Sequence, residues 1–239
     1  MVPTGTESSP TERKDVPRTA EATPTPSPLD GLEPRRRCIL EAAYSVLVER
    51  GYAGASTLEI AKRARVSKRE LYAEFGSKSG ILRALIAATA ARMQLPLATA
   101  EIHDRDDLAA ALVRYGTTAL GELTSPPVLA INRLAVAEAG RSSEMGGILE
   151  DTGREPNRKA LIDLVTKAQA AGVLGPGEPG VIAGAFFSLL MGDLMYRLLL
   201  GVVPRPGPKE IKKRAQAATQ LVLALHAADV SAAGSPRRS

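Results

Sequence analysis

Residues 56–78 read STLEIAKRARVSKRELYAEFGSK. Ser56 is followed three residues later by Glu59, and Ser67 by Glu70. A Ser with Glu at the third position beyond it is the pattern of a capping box at a helix start. The spacing predicts two short helices, over about 57–64 and 68–74, with Arg65-Val66-Ser67 leaving room only for a tight turn. Helices this short are marginal alone, so caps and packing must hold them. Ile60, Ala61, Ala64, Val66, Leu71 and Phe75 share the inward side, and the two small alanines allow the helices to cross closely. The opposite side of the second helix presents Lys68, Arg69, Tyr72 and Ala73.

Two helices around a tight turn, the second carrying cations, match an element that enters the major groove of DNA while its first helix crosses the backbone. Arg69 has the fork to pair with the O6/N7 edge of guanine, the commonest specific contact. Lys68 reaches a base or a phosphate, and Tyr72 has a hydroxyl for a phosphate. Thr57, at the first helix start, and Lys78, at the start of the helix that follows, sit where the backbone would pass. Arg35, Arg36 and Arg37 form a basic cluster just upstream. A charge run on a short helix is more often a solvated face. The balance of charge along the chain argues otherwise. Residues 31–92 carry 12 basic and 6 acidic side chains, against 3 and 5 in residues 1–30 and 16 and 15 in residues 93–239. The basic excess lies on the segment with the two-helix pattern, the footprint of a polyanion binder.

Working outward, a helix over 34–50 has Ile39, Leu40, Ala43 and Leu47 on one side and ends at Gly51. Another runs from Ser77 to about Met93, where Pro96 is expected to stop it. Pro-in, Gly-out punctuation places more helices at about 106–122, 126–140, 143–151, 156–172, 179–201 and 208–228. Alanine and leucine dominate and aromatics are 3%, so the chain is expected to be all-α. Residues 1–30, rich in Pro, Thr, Ser and Glu, read as a disordered arm, and 230–239 as a disordered tail. The single cysteine, Cys38, excludes an internal disulfide framework and is expected to pack on the apolar side of its helix. The N-terminus shows no apolar signal-peptide region. The one long apolar stretch, Val181–Val203, is interrupted by Asp193 and Arg197, each costing about 2.5–3.5 kcal/mol at a bilayer centre. No membrane partner is expected, and the cytoplasm is the expected location.

The combination Gly51-Tyr52, Ser56, Glu59-Ile60-Ala61, Ala64, Val66-Ser67, Leu71-Tyr72, Phe75 and Ser77-Lys78 resembles the TetR family of transcriptional regulators. The likeness spans about residues 34–86. It implies a helix-turn-helix head (31–80), a helical ligand-binding and dimerisation body (81–229), and a homodimeric repressor of double-stranded DNA. The family's DNA contacts carry over to Thr57, Ser67, Lys68, Arg69, Tyr72 and Lys78. Three positions depart from its pattern. Arg65 stands where a turn glycine is common, Arg69 where a small residue is frequent, and Glu74 where His or Tyr often meets a phosphate. A carboxylate at 74 would repel DNA, so it is expected to pair with a neighbouring Arg or Lys. Residues 126–201 resemble the AefR-like subgroup through Arg133-Leu134, Ala137-Glu138-Ala139, Gly192-Asp193-Leu194 and Leu198-Leu199-Leu200-Gly201.

The resemblance implies a dimer built from about 178–201 and 208–228, though the same apolar faces would also suit a monomer's own core. It further implies a small-molecule effector among the body helices. Leu112, Tyr115, Leu134, Met145, Phe186 and Met191 are candidate pocket residues, an apolar set suited to a hydrophobic ligand, although such residues are more often core. No cofactor or metal is expected. His103 and His226 are the only histidines, and neither starts a metal or catalytic motif, which argues against an enzyme. A ligand-independent regulator or an activator stays open beside the repressor.

Overall fold

The computed structural model describes Leu29 and residues 31–228. The disordered arm and tail expected from composition fall, but for Leu29, outside the described residues. The elements run α1 (Pro34–Gly54), α2 (Thr57–Arg63), α3 (Lys68–Phe75), α4 (Lys78–Ala98), α5 (Arg105–Leu123), α6 (Pro126–Glu138), α7 (Glu144–Ile148), α8 (Glu155–Ala170), α9 (Pro179–Met191), α10 (Leu194–Leu199) and α11 (Pro208–Leu225). A π-helical turn, Leu149–Arg154, joins α7 to α8. There is no strand among the described residues, as the all-α expectation requires.

Local chemistry starts and stops these helices. The N–H of Glu59 donates to Ser56 Oγ (3.1 Å), capping α2. The box there is only half made, because the Glu59 carboxylate lies 3.4 Å from Arg63 instead of on the Ser56 amide. At α3 the box is complete: Glu70 N–H donates to Ser67 Oγ (3.1 Å) and Ser67 N–H to the Glu70 carboxylate (2.7 Å). Between the helices, Arg65 takes φ +56°, the only non-glycine residue with positive φ among those described. A side chain in that region costs about 1–2 kcal/mol, while glycine loses more backbone entropy on folding. Arg65→Gly is therefore expected to stabilise the fold by about 1 kcal/mol. A melting temperature equal to or below wild type would contradict that.

Four expectations need correction. Cys38 is exposed, its Sγ 3.7 Å from the Ala64 carbonyl, because the buried stripe of α1 begins one residue later at Ile39 and Leu40. Gly51, at φ +70°, kinks α1 rather than ending it, and one further turn runs to Gly54. Pro96 lies within the last turn of α4, where it removes a single ladder bond while Leu97 stays buried in the core. The helix expected to be continuous over 179–201 breaks at Gly192 (φ +49°), whose N–H closes on the Ser188 carbonyl (2.8 Å) before α10 begins.

Two apolar cores result. One joins α1, α2 and α3 with Ile81, Leu82, Leu85 and Ile86 of α4, Ile131 and Ala135 of α6, and Met145 and Ile148 of α7. The other gathers α5, α8, α9, α10 and α11 around Met93 and Leu97 of α4. So α4 inserts its first half in one core and its second half in the other. By length and composition α4 could cross a membrane, but its apolar residues are divided between these two cores. Arg92 of α4 and the buried Glu122 of α5 add an ion pair at 2.8 Å. A rotation of α4 must therefore be felt at both ends.

Candidate nucleic-acid interface

The surface built by α2 and α3 follows from their caps. With Leu71 and Phe75 buried, the 3.6-residue period turns Lys68, Arg69, Tyr72 and Ala73 outward, and all four are exposed. The Tyr72 hydroxyl and Thr57 Oγ1 lie 3.1 Å apart, so the two side chains expected to touch phosphate form one polar pair across the turn. The Lys68 ammonium sits 5.6 Å from the centre of the Tyr72 ring, a cation–π distance. Arg69 makes no ion pair or hydrogen bond among the described residues, and its guanidinium is available. Ser67 Oγ caps α3 as an acceptor, and its own proton is shared with the Glu70 carboxylate.

Lys78 is held differently. Its ammonium donates to the Tyr52 carbonyl (2.7 Å) and lies 4.4 Å over the Tyr52 ring. It therefore pins the start of α4 to the end of α1, with two N–H donors remaining. The upstream arginines are not a free cluster either. Arg35 pairs with Glu70, and Arg36 pairs with Glu74 while stacking 4.9 Å over Phe75. The departure at Glu74 is thus a strut between α1 and the recognition helix, across a cleft of about 250 Å³. Arg63 is likewise occupied by Glu49, at 2.5 and 3.0 Å. Much of the local basic excess braces the head, and Lys68 and Arg69 remain directed outward.

The Glu70 carboxyl is held down to about 2, first by the Ser67 backbone N–H, then by the Arg35 guanidinium and the Ser67 hydroxyl. A group depressed in the folded state stabilises it fully above its unfolded value, here 4.5, and that contribution is lost as pH falls towards 2. Glu70→Gln is expected to melt below wild type at neutral pH, with the gap closing as pH falls through this window. A gap independent of pH would exclude the carboxylate as the cause.

Two contacts escaped the sequence reading. The Tyr52 hydroxyl lies against the Glu144 carboxylate of α7, and it is pushed up to about 12, chiefly by burial and then by that carboxylate. Arg83 of α4 donates to Thr152 Oγ1 (3.2 Å) in the π-helical turn. Both join the head to the body. The candidate pocket residues do not come together. Leu112, Tyr115, Phe186 and Met191 share the body core, whereas Met145 is buried in the head core and Leu134 packs against it. Around the first four the packing is close: a Cβ on Gly116 would lie 3.1 Å from both Ala215 and Leu190 and 3.4 Å from Phe186.

An exposed cationic helix on a helix-turn-helix head, joined to a helical body by one shared helix, defines a DNA-binding transcriptional regulator. Residues 39–85 match the family model described as bacterial regulatory proteins, tetR family. Residues 110–228 match that of the AefR-like transcriptional repressor C-terminal domain. The chain belongs to the TetR family. It is similar to the HTH-type transcriptional regulator YvkB of Bacillus subtilis (strain 168), with 27% identity over 185 residues covering 76% of this chain and 93% of that protein. Among solved structures, a TetR transcriptional regulator from Agrobacterium tumefaciens is 29% identical, covering 81% of this chain and 95% of that one, with a TM-score of 0.67. The flavonoid-responsive regulator FrrA is 27% identical, covering 80% and 96%, with a TM-score of 0.63.

Proposed function

We propose that this protein is a homodimeric repressor that leaves a near-palindromic operator in the cytoplasm when a small hydrophobic effector binds. The observation that carries the DNA half of this reading is the unpaired, outward Arg69 beside Lys68 on a helix whose acidic residues are all engaged inward. Thr57, Ser67, Tyr72 and two donors of Lys78 then fix the backbone, and Arg69 reads the base edge.

The dimer is supported by apolar residues left uncovered on α9 and α11. Val181 and Leu189 of α9 and Leu221 and Leu225 of α11 are exposed, Leu225 by 70%. Burial stabilises by about 25 cal/mol per Å² of apolar surface, so a second copy is the natural cover. Two recognition helices about 34–36 Å apart would then read successive major grooves on one side of the duplex. An apolar, ring-containing effector is supported by the likeness to a flavonoid-responsive regulator. It must bind the two head spacings with different affinity, or it shifts nothing.

The close packing around Gly116 favours a second reading, a regulator that needs no ligand. Selection of duplexes from a random pool by the full-length protein tests the first. A near-palindrome released by aromatic compounds supports it, a near-palindrome that none releases favours the second, and no enriched sequence contradicts both.

A further inference from the structure

The seam between head and body holds a cavity of about 140 Å³. It is lined by Glu41 and Tyr44 of α1, Leu85 and Thr89 of α4, and Val128 and Ile131 of α6, with Leu29 closing one side. Its size is close to that of a cavity of about 150 Å³ known to take up benzene, so a single ring fits. Its walls are mostly apolar, but three side chains carry unspent hydrogen-bonding capacity. The Tyr44 hydroxyl is half-buried and has no hydrogen-bond partner among the described residues. Burial alone raises its proton affinity. The Thr89 hydroxyl makes only a long bond, 3.4 Å to the Leu85 carbonyl, leaving its lone pairs open. The Glu41 carboxylate has Arg37 no nearer than 3.8 Å.

We propose that this seam cavity binds a single-ring phenolic molecule, its ring among Leu85, Val128 and Ile131 and its hydroxyl among Tyr44, Thr89 and Glu41. The ligand hydroxyl accepts from Tyr44 and donates to Thr89 or Glu41, so the Tyr44 hydroxyl and the ligand's own are both paired, and whichever acceptor is left keeps its contact with Leu85 or Arg37. A ring seated there lies between α1, which carries the head, and α6, which belongs to the body, and rests on the shared α4. It therefore sets the angle between head and body, and duplex affinity with it. This coupling rests on the effector-responsive reading given above; the binding site itself does not.

Phenol and toluene, titrated calorimetrically into the full-length protein, test the site. Wild type is expected to bind phenol saturably. Val128→Phe, which fills the cavity, is expected to weaken it at least tenfold, and Tyr44→Phe by up to about tenfold while leaving toluene unchanged. Tyr44 lies off the DNA surface, so Tyr44→Phe without phenol should bind the selected duplex like wild type, while a cooperative melt shows that Val128→Phe is folded. No saturable phenol binding, or equal binding by Val128→Phe, overturns the site. Phenol that binds without altering the duplex affinity of wild type overturns the coupling. A wild-type protein that selects no duplex overturns the regulator reading instead, and the titrations then judge the cavity by themselves.

Discussion

Leu221→Glu combined with Leu225→Glu is expected to give a folded monomer whose affinity for the operator is more than about 100-fold below wild type. Both residues are exposed in the single chain, and the buried side of α11, Ile211, Ala215, Ala218 and Val222, is untouched. Glutamate is nearly as good a helix former as leucine, so α11 should stay helical. Across a two-fold interface each substitution meets its own copy, and like carboxylates facing one another in a desolvated patch are strongly unfavourable. Without the dimer, two half-sites no longer bind as one event. Sedimentation equilibrium reads the association and fluorescence anisotropy the affinity. A variant that remains a dimer would exclude this surface as the interface.

Arg69→Ala is expected to abolish specific recognition while leaving the fold intact. The side chain is exposed and makes no ion pair or hydrogen bond among the described residues, and alanine favours the helix. A bidentate contact to guanine contributes about 1–3 kcal/mol of discrimination, and a dimer makes it twice. Operator affinity should thus fall by roughly 2–6 kcal/mol, towards the value for random duplex. Lys68→Ala serves as the contrast. If it meets phosphate, it lowers affinity for all sequences alike and flattens the salt dependence. Equal losses on operator and random DNA in Arg69→Ala would show that Arg69 positions rather than reads.

The head was legible in the sequence because its signals are local. Ser67 and Glu70 meet three residues apart, and a capping box needs nothing else. The turn was legible in its length and in Arg65 standing in a glycine's place, but that Arg65 takes positive φ is seen only in the structure. What joins distant segments was not. Glu74 was expected to find a cation, but its partner Arg36 lies 38 residues away and nothing local names it. The Tyr52–Glu144 link between head and body has no sequence signature at all. In α9 the apolar residues run almost all round, so their periodicity carried no phase, and the hydrophobic run was read straight through Gly192. The candidate pocket failed to assemble for a related reason. Apolar identity does not say which core a residue joins, and Leu134 and Met145 joined the head's.

The central claim is that α3 of two subunits reads successive major grooves. Hydroxyl-radical footprinting of the full-length protein on the DNA flanking its own gene, at about 50 and 200 mM salt, tests it most directly. The account predicts two protected patches one helical turn apart on one side of the duplex, weaker at the higher salt and absent with Arg69→Ala. Protection that shows no repeat, or that survives Arg69→Ala unchanged, would contradict it.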